Sequence, residues 1–156
     1  MRHFVFLLVL GLSLNWPLHS AEAAPPTAAG LLNRMNQVRA AAQIPLVRDS
    51  YTLRRVAAAR AADMVRFNYF NHVSAAGLTY QYWLAAGPAR FQRTGENIAR
   101  GYLTSLATTS GWLASGSHRS NLLNSRFTHA GTAVRPILYN GRPSYLYVTI
   151  FGRGSQ

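Results

Sequence analysis

The sequence predicts an α+β sandwich in which a small, mainly antiparallel sheet is covered by helices on both faces. Three observations carry this. Helical periodicity dominates from Ala28 to about Leu123, whereas strand signals crowd into the C-terminal third. Asn140-Gly141 separates two strand-like runs, the strongest short-range hairpin signal. In the second run Tyr145, Tyr147, Thr149 and Phe151 alternate with Leu146, Val148 and Ile150. Both sets are bulky, as in a central strand beneath helices and not in a half-exposed sheet.

The elements follow in order. Arg2, the apolar run Phe4–Leu14, Pro17 and the small residues of Ala21-Glu22-Ala23 form a signal-peptide pattern spanning residues 1–23, with cleavage expected after Ala23. The run falls short of the ~20 apolar residues of a spanning helix, and no later segment is long and apolar enough to span. Secretion follows as the expectation, to the periplasm or the exterior. Residues 24–30, with Pro25-Pro26-Thr27, read as a linker, and residues 31–152 as one domain.

Helical spacing of Leu31, Leu32, Met35 and Val38 predicts a helix over 28–42. Asp49 or Ser50 can cap a second helix over 52–67, whose stripe is Leu53, Val56, Ala57, Ala61, Met64 and Val65. Its arginines, Arg60 among them, are expected largely off that stripe. An aromatic-rich loop carries His72. Residues 78–86 form a short helix ended by Gly87-Pro88, followed by an irregular stretch before Gly95-Glu96. Residues 105–114 make another helix, after which Ser117 can cap a last turn containing His118. Strands are expected over 131–139 and 144–151.

Composition narrows the function classes. The chain has no cysteine, which leaves no residue for a disulfide, thiolate zinc site, cysteine nucleophile or lipoprotein anchor. A domain of this length can bury enough surface to stand on packing alone. All sixteen basic residues are arginine, and beyond residue 23 the only acids are Asp49, Asp63 and Glu96. The net charge is +12 with or without the leader. Such a field favours anionic partners, an envelope component or a lipid-like ligand, which arginine can grip bidentately. The arginines are scattered singly, without the basic stripe of a nucleic-acid reader. A monomer that binds no nucleic acid is expected.

Scarcity makes the titratable residues informative. Glu96 is the only glutamate of the mature chain, with His72 and His118 in separate loops on either side of it in sequence. Two imidazoles and a carboxylate are the minimum protein set for a catalytic-type zinc site, and would equally serve as a general acid–base group. Separate structural polar residues fit the spacing as well. No serine–histidine–aspartate set is evident, because Asp49 and Asp63 both belong to helices. Asn97 and Asn121 are expected to satisfy buried backbone groups, Trp112 to be core, Asp63 to form a structural ion pair and His129 to lie at the surface.

Several strings resemble the bacterial SCP-like domains of the CAP superfamily. They are Leu31-Leu32-Asn33 through Asn36 to Arg39, then Pro45-Leu46 with Asp49 and Leu53, then Ala61-Ala62-Asp63-Met64 with Phe70-Asn71-His72. Gly95-Glu96-Asn97-Ile98-Ala99 and the segment from Trp112 through Ser115 to Ser117-His118-Arg119-Ser120-Asn121-Leu122-Leu123 follow, ending with Phe127-Thr128 and Gly131. The resemblance runs from about Leu31 to Gly152. It implies an α-β-α sandwich with a central cleft lined by two histidines and two acids. His72, Glu96 and His118 match three of these, and the fourth position falls on Ser115. The resemblance does not decide the activity. A binding module for a lipid-like or anionic envelope ligand is favoured. The alternatives are a hydrolase using a divalent metal such as zinc on His72 and His118, with Glu96 as base or as the group that orients a ligand, and a scaffold without cleft chemistry.

Overall fold

A computed structural model describes residues 24–154. The signal-peptide pattern therefore lies outside the described residues. The chain forms α1 (Ala28–Ala41), β1 (Arg48–Asp49), α2 (Tyr51–Arg66), α3 (Tyr80–Ala85), β2 (Phe91–Tyr102), α4 (Ser105–Ala114), α5 (Gly116–Leu122), β3 (His129–Tyr139) and β4 (Arg142–Gly154). Local chemistry sets the helix starts. Thr27, Ser50 and Thr104 each accept a hydrogen bond from the backbone N–H three residues on, closing the first turns of α1, α2 and α4.

The strands run β1-β3-β4-β2 across one sheet. β3 and β4 form an unbroken antiparallel hairpin, turned by Asn140 (φ 52°) and Gly141 (φ 74°), the paired left-handed conformation that Asn-Gly tolerates. β2 pairs antiparallel with β4 and is an edge strand, whereas the two-residue β1 runs parallel to β3. The sheet is thus mainly antiparallel, as expected.

β4 is the central strand its sequence implies. Tyr147 and Phe151 pack with Leu31 and Met35 of α1, Trp112 of α4 and Leu122 of α5. Leu146, Val148 and Ile150 pack with Leu53, Val56, Ala57, Ala61 and Met64 of α2. Burying a large aliphatic side chain contributes roughly 1.5–3 kcal/mol relative to exposure, so these two layers hold the domain together without a disulfide. α2 approaches β3 so closely that a Cβ on Gly131 would lie 2.0 Å from the Arg54 backbone nitrogen.

Four local expectations need correction. The stretch before Gly95 is not irregular; β2 starts at Phe91 and pairs with the end of β4. His118 is not in a loop but in α5, whose N-cap is Ser115, not Ser117, with no side-chain capping bond. β1 is an element too short to leave a periodic signature. Arg60, expected off the α2 stripe, is completely buried.

Arg39 is buried too, and its three nitrogens donate only to backbone carbonyls. Nε reaches Pro45 at 2.9 Å, Nη1 reaches Leu122 at 2.8 Å, and Nη2 reaches Asn124 at 3.0 Å and Phe127 at 3.3 Å. Burial pushes its pKa down, yet a guanidinium stays charged at any ordinary pH. It ties α1 to the C-terminal end of α5, where unpaired carbonyls favour a cation.

Candidate functional site

The site forms around the free edge of β2. Successive side chains on a strand point to opposite faces. Glu96 therefore shares the α2 side with Ile98, while Asn97 turns toward α5. Glu96 is buried, with its side chain only 2% exposed. Its carboxylate has two partners: Oε2 accepts from Arg60 Nε at 3.1 Å, and Oε1 accepts from His72 Nδ1 at 2.8 Å.

Arg60 organises this corner. Nη1 donates to the Tyr69 hydroxyl at 2.6 Å and Nη2 to the Asn71 carbonyl at 2.9 Å. The Tyr69 hydroxyl in turn donates to Asp63, whose carboxylate lies 3.8 Å from Arg60 Nη1. The guanidinium also sits over the Trp83 ring, 5.0 Å from its centre, an arrangement that favours a desolvated cation. One side chain thus fixes both the carboxylate of Glu96 and the backbone next to His72. Asp63 forms the ion pair expected of it. Burial raises the Tyr69 pKa, and the bond to Asp63 adds to this.

A carboxylate only accepts, so His72 carries a proton on Nδ1 and, when neutral, offers Nε2 as an acceptor. Its side chain is half exposed. His118 comes from the opposite layer, and the two imidazole centres lie 5.9 Å apart with a 43° tilt. The Nε2 of His118 is buried without a hydrogen-bond partner. Burial lowers the His118 pKa, and the neighbouring His72 lowers it further.

Behind the trio, Asn97 Nδ2 donates to the His118 carbonyl at 2.9 Å. Asn121 Nδ2 donates to the Glu96 carbonyl at 3.1 Å and to Asn97 Oδ1 at 3.0 Å. These amides lock α5 onto β2, the backbone role expected of them. Trp112 is core, its indole N–H bonded to the Ile98 carbonyl at 3.1 Å. His129 stands at the start of β3, against Phe91 and Thr128.

The structure therefore brings His72, Glu96 and His118 together. Ser115 stays at the α4–α5 junction, and no hydrogen bond joins its side chain to the trio. The residue the sequence reading missed is Arg60, and a signal for it existed. Leu53, Val56, Arg60 and Met64 fall at helical spacing on one face of α2. Arg39 likewise continues the Leu31–Met35 stripe of α1. Of the two, only Arg60 was expected off its stripe, and no place in the fold was assigned to Arg39.

The fold and site define a three-layered α-β-α sandwich whose polar centre straddles a sheet edge. The chain belongs to the CAP family, described as the cysteine-rich secretory protein family, whose model matches residues 32–150. Among relatives, the Bacillus subtilis (strain 168) protein YlbC, described as an uncharacterized membrane protein, is 44% identical over 79 residues, 51% of this chain and 23% of its own length. YkwD from the same organism is 38% identical over 81 residues, 51% of this chain and 31% of its own length. The chain thus matches less than a third of the length of these curated relatives.

An extracellular protein containing an SCP domain from Bacillus anthracis superposes with a TM-score of 0.70 at 32% identity, over 81% of this chain and 40% of that one. An outer surface protein from Borrelia burgdorferi superposes with a TM-score of 0.69 at 21% identity, over 80% and 90%. The latter shares the fold alone. Among the described residues, no helix is long and apolar enough to cross a membrane.

Proposed function

We propose that this domain works outside the cytoplasm as a binding module, holding a lipid-like or anionic envelope ligand at the cleft of His72, Glu96 and His118. The observation carrying this reading is the engagement of Glu96 by Arg60 and His72 together. Both oxygens of this carboxylate already accept hydrogen bonds, so its work is to orient an imidazole. What remains for a ligand is the half-exposed imidazole of His72, a second imidazole 5.9 Å away, and a chain whose net charge is +12. Export is supported by the leader pattern and by the similarity to the extracellular Bacillus anthracis protein.

Native mass spectrometry of protein purified from its own host tests the reading. A bound small molecule is expected on the wild type and lost from folded His72→Ala and His118→Ala variants. Retention of that molecule by both variants would overturn the assignment to this cleft.

A metal is the second reading, favoured by the paired imidazoles and the unpartnered Nε2 of His118. The donor set falls short of the three protein ligands of a catalytic zinc centre. Glu96 is already engaged, and no group of three or more His, Cys, Asp or Glu among the described residues is arranged to hold an ion. His72 and His118 would hold a divalent cation weakly, with water completing the shell. Calorimetric zinc titration decides: micromolar binding to the wild type that both alanine variants abolish would put this reading ahead of the first.

A further inference from the structure

A second surface stands about 20 Å along β2 from Glu96, six residues away at ~3.3 Å each. Here β2 ends, the β3–β4 hairpin turns and α2 terminates. Large apolar side chains face solvent at this end: Leu138 is 75% exposed, and Val65, Phe67, Leu103 and Leu106 are exposed as well. Val65, Leu103 and Leu138 form one surface because neighbouring hollows share their walls. Val65, Arg100, Pro136 and Leu138 line the first, of about 200 Å³. Pro136 and Leu138 continue, with Leu103 and Pro143, into the next, of about 780 Å³.

The charge around this patch has one sign. Arg66, Arg100, Arg135 and Arg142 are exposed here. The three acids of the described residues are committed elsewhere: Asp49 to Arg54, Asp63 to Arg60, and Glu96 to Arg60 and His72. Arg100 lies over the rings of Phe70 and Tyr139, at 4.6 and 5.0 Å from their centres. Its stem thus rests on apolar surface near the tip of the hairpin.

We propose that this end of the sheet docks on an anionic lipid bilayer. Apolar tips ringed by arginine suit the headgroup boundary, where the tips enter the acyl edge and the guanidiniums take lipid phosphates. A second copy fits poorly, because pairing these faces would oppose two sets of unpaired arginines. Pro25 and Pro26 add further apolar surface to the wall of the second hollow. The surface uses none of His72, Glu96 and His118; Tyr69, in the wall of its first hollow, reaches toward the cleft through Arg60.

Cosedimentation of the host-purified protein with vesicles tests the proposal. Mixed phosphatidylglycerol–phosphatidylcholine vesicles should bind the wild type, and phosphatidylcholine alone should not. Arg135→Gln/Arg142→Gln should lose about ten- to thirty-fold in partitioning, as expected for two arginines near an anionic surface. Leu103→Ser/Leu138→Ser should lose at least as much. Arg126→Gln/Arg153→Gln, an equal charge change away from this end, should change partitioning by less than about two-fold. Leu138→Trp should show a blue-shifted emission on anionic vesicles only. Equal losses in the two arginine pairs, an unshifted tryptophan, or self-association without lipid that the leucine pair abolishes would each overturn the proposal. His72→Ala should partition like the wild type, which separates this surface from the cleft.

Discussion

Arg60 and Glu96 form an ion pair with both side chains almost wholly removed from water. Breaking such a pair from one side leaves an uncompensated charge in a dry site and costs about 3–5 kcal/mol. Arg60→Met should therefore destabilise the domain by that amount in urea titration, and Arg60→Met/Glu96→Leu should recover much of the loss. A single-variant cost below about 1 kcal/mol would show that water reaches the pair. His118 supplies a pH dependence of known sign. Its folded pKa is depressed by burial and by His72, so below about pH 6.5 the unfolded chain binds more protons. Stability is complete above that pH and declines as pH falls through the folded value. His72 and Glu96 face the same space, so the comparison must be made against His118→Phe. That variant should show a flatter decline between pH 6.5 and 5; identical slopes would remove His118 as the cause.

At the scale of elements, two glycines separate conformational from steric need. Gly141 occupies a left-handed turn position with nothing near its missing side chain, so Gly141→Ala should cost about 1 kcal/mol through backbone strain alone. Gly131 has an ordinary φ but no space: its Cβ would meet Arg54 N at 2.0 Å and Leu53 C at 2.1 Å. Backbone cannot yield as a side chain does, so Gly131→Ala should force α2 off β3 and cost at least the ~1–3 kcal/mol of overpacking. Chemical denaturation of the two variants checks the order, and a smaller effect at Gly131 would contradict the close approach of α2. The hairpin itself was readable beforehand. Asn140-Gly141 specifies its own turn whatever surrounds it, and the observed φ angles are those the dipeptide favours. β1 was not readable, because two residues carry no period and its pairing partner lies some eighty residues away in sequence.

For the whole molecule, the leader pattern makes a prediction that the folded domain does not depend on. N-terminal sequencing of the exported protein should start near Ala24, and a chain still beginning at Met1 would refute cleavage. The domain downstream has its two apolar layers on opposite faces of one sheet, and the cleft residues come from both. His72 arrives from the loop after α2, His118 from α5, and Glu96 from the strand between those layers. Their spacing therefore depends on both layers packing correctly. A variant that loosens either layer should disturb the cleft before the domain unfolds.

The sequence by itself determined what local chemistry can decide: the helix periods, the hairpin turn, a strand bulky on both faces, and a match to family motifs that named His72, Glu96 and His118. These follow from residues near one another along the chain. Only the tertiary structure decided the fate of Arg60 and Arg39. Each lies on an apolar helical stripe, and periodicity gives an angle around the helix without saying what waits there. A guanidinium at such an angle is excluded unless acceptors meet it. Those acceptors, Glu96 for Arg60 and the carbonyls of Leu122, Asn124 and Phe127 for Arg39, arrive from distant segments once the layers have closed. Burial of a charge is settled by its partner in space, and long-range partnership is the information a linear pattern does not contain.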